Sequence, residues 1–282
     1  RNIRTAFFLN ITFTIIEIIG GFLTNSLAIL SDALHDLGDS IALGLSWRLE
    51  RVSLRERSTH FTYGYRRFSL LGAVISSLIL MGGSIYIVSE AVPRLFSAEE
   101  VHTGGMLILA VLGVLINGAA VLRLKGGSRI HERVVMLHLL EDVFGWIAVL
   151  IVSIIIRFTD LYFLDPLLSM CIALFVLVKV FSKLIQSMRI FLQSVPEHIQ
   201  ADRVNEVLSK VEEVVDVHDI HIWSLDGEYN VGTVHIVVKN STSIRKRRAI
   251  KEEIRKLLVD LDIQHTTIEI ESEDEVCGYE TC

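Results

Sequence analysis

The sequence predicts an α-helical membrane part with six transmembrane helices, followed by a small α+β domain. Three observations lead there. Hydrophobic residues make up 51% of the 282, which is too apolar for an ordinary soluble domain of this size. They crowd into the first two-thirds of the chain, in six runs near the roughly 20 residues a helix needs to cross a bilayer. Beyond residue 192 the pattern changes to apolar residues alternating with charged ones. The chain therefore divides into a membrane part, 1–192, and a soluble part, 193–282.

The six runs fall at about 6–23, 27–47, 68–92, 105–122, 134–156 and 161–184, with Pro93 expected to end the third. None has the short alternating pattern of a transmembrane β-strand. Arginines set the orientation. Arg48, Arg51, Arg55, Arg57, Arg66 and Arg67 lie between runs two and three, and Arg123, Lys125, Arg129 and Arg133 between four and five. With Arg1 and Arg4 they mark one side, whereas the opposite loops hold mainly Arg94 and Arg157. The positive side is cytoplasmic, so both termini and the soluble part are expected there. The net charge of −6 argues against nucleic acid as a partner, and three cysteines make no disulfide framework. No cleavable signal peptide is expected, because the first apolar run is followed by more of its kind. The chain begins at Arg1 rather than methionine, which implies a preceding segment.

Two stretches inside the apolar runs carry chemistry. His35 and Asp39 lie four residues apart, as do His138 and Asp142. That spacing puts each pair on one helix face, a turn apart. Ionisable groups at membrane depth are expensive and are read as functional. Either histidine taken singly fits a buried side chain satisfied by a hydrogen bond; the matched pairs fit a metal. Imidazole nitrogen with carboxylate oxygen suits zinc and related transition metals, whereas magnesium and calcium favour all-oxygen sites. Four ligands close a tetrahedral shell and leave no position for a catalytic water, which points to binding and release rather than hydrolysis. Two neutral histidines, two aspartates and one Zn²⁺ sum to zero charge. Without metal, protons restore the balance on the same atoms, so a site opened alternately to the two sides exchanges metal for protons. Asp32, Asp36 and Glu141 are expected to point elsewhere on their helices. Asn10, Glu17 and Asn117 fit a cavity lining and bonds between helices alike.

In the soluble part, residues 202–211 and 243–260 have helical period. Residues 214–225, 229–239 and 266–271 read as strands, the first two joined at Asp226-Gly227. The order αββαβ fits two layers, with the helices on one face of a sheet.

The sequence resembles the cation diffusion facilitators, the family of zinc transporters. The resemblance spans nearly the whole chain. It rests on residues 25–39, which contain Ser31-Asp32-Ala33-Leu34-His35-Asp36-Leu37-Gly38-Asp39, and on Thr62-Tyr63-Gly64-Tyr65-Arg66-Arg67. It rests also on His138-Leu139-Leu140-Glu141-Asp142, Asp165-Pro166 and Val217-His218-Asp219-Ile220-His221-Ile222-Trp223-Ser224. The resemblance implies that His35, Asp39, His138 and Asp142 form the transport site of a homodimer that exchanges Zn²⁺ for H⁺. Histidine rather than aspartate at position 35 favours zinc over cadmium. The soluble part should be a ferredoxin-like, metallochaperone-like domain that senses metal and helps dimerise the protein. There His218 and His235, on successive strands, with Glu271 and Glu269 on the last strand, are the ligands implied for regulatory zinc. Cys277 and Cys282 could supply two thiolates. His198, His221 and His265 read as exposed histidines, and the run from Arg245 to Arg248 as a solvated helix face. Phe68-Ser69 departs from the family's alanine and glutamate, leaving His60 as the ligand near that loop, and no histidine-rich loop separates runs four and five.

The expectation is a non-enzymatic multi-pass exporter of Zn²⁺ from the cytoplasm, in a bacterial inner membrane, with no cofactor beyond zinc. Cadmium, cobalt, iron or manganese are the rival cargoes. A membrane zinc hydrolase with Glu141 as base, and a metal sensor without transport, are the rival classes.

Overall fold

The computed structural model describes residues 2–124 and 130–275. Six long helices come first: α1 (Asn2–Thr24), α2 (Leu27–Ser53), α3 (Phe68–Phe96), α4 (Thr103–Leu124), α5 (Ile130–Thr159) and α6 (Leu164–Phe191). Then follow α7 (Ala201–Leu208), β1 (Val214–Ser224), β2 (Asn230–Val238), α8 (Ile244–Asp260) and β3 (His265–Ser272). Two compact units result: one of residues 1–48 and 72–184, the other of 49–71 and 185–282. The segment between α2 and α3 thus belongs with the C-terminal unit, a grouping the apolar pattern does not reveal.

The helical unit exposes apolar side chains on its outside and buries polar ones beside an apolar core. Phe22, Phe96, Phe158 and Val178 are exposed, while Glu17, Ser26, Asp36, Ser153, Asp165 and Ser169 are buried. Among the described residues four helices are long and apolar enough to cross a membrane by length and composition: 68–96, 103–122, 139–159 and 164–191. In α2, which has 27 residues, Asp32, Asp36 and Asp39 interrupt the apolar run. The helix α3 continues one turn past the expected stop at Pro93. Proline there costs only the bond to the preceding turn, and its own carbonyl still accepts from Ser97 N at 3.0 Å.

The turns between helices are built by residues that tolerate a left-handed backbone. Asn25 (φ 53°) reverses the chain between α1 and α2. Its Oδ1 accepts from Arg94 Nη1 at 2.9 Å and its Nδ2 donates to Glu99 Oε2 at 3.0 Å. Gln193 (φ 60°) ends α6, with Ser194 N donating back to Arg189 O at 3.0 Å. Within the bundle, α4 and α5 form the closest pair. Gly113 makes the approach possible, because a Cβ at that position would run into the Trp146 indole.

In the C-terminal unit β2 is the central strand, antiparallel to β1 and parallel to β3. Val204 and Leu208 of α7 and Ile250, Ile254 and Leu258 of α8 pack on one face against Val217, Ile222, Val234, Ile236 and Ile268. This is the αββαβ order and two-layer arrangement expected from the pattern. Alternation along β2 sends Val234, Ile236 and Val238 to the helices and His235 to the opposite face. Ser243 caps α8 by accepting from Lys246 N.

Candidate metal sites

The first site grows from the start of α2. Ser26 precedes the helix and its Oγ accepts from Ile29 N at 3.3 Å. Asp165, buried at the start of α6, accepts from Ser26 Oγ at 2.6 Å, Leu27 N at 2.7 Å and Ala28 N at 3.4 Å. The open N–H groups of the first turn are thereby satisfied by one carboxylate and one hydroxyl. Two turns on, Asp32, His35 and Asp39 follow at intervals of three and four residues and line one cavity of about 400 Å³. His35 Nε2 lies 3.8 Å from Asp39 Oδ2, both side chains being about a quarter exposed. Asp142 and Glu141 of α5 line the same cavity, with Cys171, Lys179 and Lys183 of α6. His138 lies one helical turn before Asp142 on α5; its side chain is outside the described residues.

Two expectations need correction. Asp32 does not point away from the pair: its offset of three residues from His35 returns it to the same face. Glu141, next to Asp142, also reaches the cavity, drawn toward Lys179 Nζ. Asp36 is on another face and is buried. The wholly buried Glu17 of α1 has Asp36, Asp32 and Asp142 as its charged neighbours.

The second site is on the helix-free face of the sheet. His218 of β1, His235 of β2 and Glu271 of β3 each offer a ligand atom, all within 4.8 Å of one another. Glu271 Oε1 is 2.6 Å from His235 Nδ1, and Oε2 is 3.4 Å from His218 Nε2. Asp216 takes His218 Nδ1 at 3.0 Å, which leaves the lone pair on Nε2. That atom is buried with no hydrogen-bond partner, as a metal ligand oriented by a second carboxylate would be. The donor set of two imidazoles and a buried carboxylate fits zinc. Glu269 stands at the rim, 3.5 Å from His235 Nε2 and more than half exposed.

Sequence reasoning missed Asp219. Strict alternation would put it on the opposite face from His218. The β1–β2 register shifts between His218 and His221, and Asp219 adopts φ 49° there. This bulge re-aims the side chain: its Oδ2 comes within 3.4 Å of His235 Nε2, while Oδ1 takes His221 Nε2 at 2.8 Å. The available signal was the residue type, since aspartate is among the few side chains that accept a left-handed backbone. Among the described residues no group of three metal-ligating side chains forms around His60. The loop instead packs on the sheet: Arg66 Nη1 donates to Asp226 Oδ2 at 3.0 Å and its guanidinium covers Tyr229. Tyr63 meets Trp223 and His265 edge-on. Cys277 and Cys282 lie outside the described residues.

Comparison with known families assigns both halves. Residues 3–192 match the cation efflux transmembrane domain, and residues 196–273 the cytoplasmic domain of cation efflux proteins. The chain belongs to the cation efflux family. Members with similar sequences include the metal cation efflux system protein CzcD of Cupriavidus metallidurans, 34% identical over 274 residues (96% of this chain, 86% of that one). The cadmium, cobalt and zinc/H⁺–K⁺ antiporter of Bacillus subtilis is 34% identical over 265 residues, 93% and 85% of the two chains. The zinc transporter ZitB of Shigella flexneri is 32% identical over 276 residues, 96% and 87% of the two chains. This cation efflux protein is therefore a multi-pass membrane transporter of metal cations and not an enzyme, with a cytoplasmic domain of the kind through which the family dimerises.

Proposed function

We propose that this protein exports Zn²⁺ from the cytoplasm in exchange for H⁺, by exposing one metal site alternately to the two sides of the membrane. The observation that carries the reading is the cavity shared by His35 and Asp39 of α2 and Asp142 of α5. His138, one turn before Asp142, supplies the fourth ligand. Nitrogen and oxygen donors in equal number suit zinc. The same atoms take protons when the metal leaves, which couples the two fluxes. Two relatives support the reading by name, one as a zinc transporter and one as an antiporter whose cargoes include cadmium and cobalt as well as zinc. The protein works as a homodimer with its termini in the cytoplasm. Its cytoplasmic domain takes regulatory zinc at His218, His235 and Glu271, with Asp219 in reach and Glu269 at the rim.

The test is metal-driven proton flux in proteoliposomes of the purified protein, beside Asp142→Ala. Zinc-dependent proton movement that disappears in the variant is the expected result. Zinc uptake without proton movement removes the exchange mechanism, and a variant as active as the wild type removes the site.

A further inference from the structure

The cavity that holds the candidate transport ligands also holds a cation of the protein's own. Lys179 of α6 places its ammonium 2.5 Å from Glu141 Oε2 of α5 and 4.4 Å from the centre of the Phe175 ring. Lys179 and Glu141 line the same cavity as Asp32, His35, Asp39 and Asp142. A lysine here is unfavourable twice over. It places a charge within a helix long and apolar enough to cross a membrane, and it repels the divalent cation that the cavity is built to attract. Its partner gives the reason for it. Glu141 adjoins Asp142 in the chain and enters the cavity beside it. Two histidines and two aspartates around Zn²⁺ are neutral as a set, and Glu141, coming in addition to Asp32 of the same cavity, would add further negative charge and offer the metal a fifth ligand. A transport site must bind weakly enough to let go.

We propose that Lys179 is a specificity- and turnover-determining residue of this transporter: it occupies Glu141 as a tethered counter-cation and keeps that carboxylate out of the metal's ligand set. The proposal rests on the transport reading given above. Removing the ammonium frees Glu141 to join the site, so metal binds more tightly and leaves more slowly. An added carboxylate also shifts the donor set toward oxygen, which favours Mn²⁺ relative to zinc. Removing the carboxylate instead leaves the ammonium facing the metal and weakens binding. Removing both restores the balance of charge.

The experiment measures zinc flux against zinc concentration in proteoliposomes for the wild type, Lys179→Met, Glu141→Gln and the double variant. Partners that adjust metal ligands typically change affinity about 10–100-fold. The half-saturating zinc concentration of Lys179→Met should therefore fall about 10-fold or more, with a lower maximal rate and stronger competition by Mn²⁺. Glu141→Gln should raise the half-saturating concentration. The double variant should lie nearer the wild type than either single one. A pair that only props α5 against α6 gives a different pattern: Lys179→Met loses rate with no gain in affinity, and the double variant is no better. That result, or a Lys179→Met curve superimposable on the wild type, overturns the proposal while leaving the transport reading intact. A wild type that carries no zinc overturns both.

Discussion

Asp165 anchors the start of α2, and its removal has a calculable effect. The carboxylate is buried and takes three donors from the first turn of α2, two of them at 2.6 and 2.7 Å. In Asp165→Ala the hydroxyl of Ser26 and the N–H groups of Leu27 and Ala28 lose their acceptor in a place water does not reach. A hydrogen bond to a charged group contributes roughly 1.5–3 kcal/mol. Counting only the two short bonds at the lower value gives about 3 kcal/mol. For a chain of this size that corresponds to about 6–12 °C in the unfolding midpoint. Asp165→Asn keeps one acceptor oxygen and loses the charge. Neutral bonds between helices in a bilayer average about 0.6 kcal/mol, so most of the charged contribution disappears. Both carboxylate oxygens accept donors, so the NH2 that replaces one of them leaves a donor without its acceptor while the remaining oxygen still serves the other side. The midpoint measured on purified protein in detergent should therefore rank wild type, then Asp165→Asn, then Asp165→Ala. His35 and Asp39 ride on the helix that Asp165 anchors, so zinc flux per folded molecule should fall in the same order. An Asp165→Ala protein that melts within a degree or so of the wild type would refute the assignment of this carboxylate as the anchor of α2.

Further outcomes follow from the cytoplasmic unit. In an Asp142→Ala background, equilibrium zinc binding should fall by one ion per chain on adding His235→Ala. Asp219→Asn should weaken that ion about 10-fold or more, whereas the rim residue Glu269→Gln should change it little; equal losses at both positions would show that the bulge does not select the ligand. Glu213 should make stability acid-sensitive. Its carboxyl accepts from Lys246 Nζ at 2.7 Å and Thr242 Oγ1 at 2.9 Å, and these bonds hold it below the ordinary glutamate value of 4.5. The contribution is complete above that value and is lost as pH falls through the lowered one. The difference in unfolding midpoint between wild type and Glu213→Gln should accordingly be constant near neutrality and shrink below pH 4.5. A gap that widens on acidification would contradict the sign.

How much was legible beforehand depends on the distance over which each feature is specified. A helix repeats every 3.6 residues, so four-residue spacing was enough to pair His35 with Asp39. Alternation likewise gave the strands of the soluble part and put Glu269 and Glu271 on one face. The same period places Asp32, three residues before His35, on its face, contrary to the expectation that it points elsewhere on the helix.

By itself, then, the sequence determined the division into a membrane part and an αββαβ domain, the cytoplasmic fold order and the spacing of the histidine–aspartate pairs. These follow from local backbone periods and from the cost of placing apolar and charged side chains in the wrong solvent. Tertiary structure alone decided the rest. It brought Asp165 to the start of a helix 138 residues away, and Lys179 to Glu141 across 38 residues. A single bulge turned Asp219 toward His235 against the alternation of its strand. Such meetings depend on which helix faces touch and where a ladder slips, and neither is written in any period of the chain.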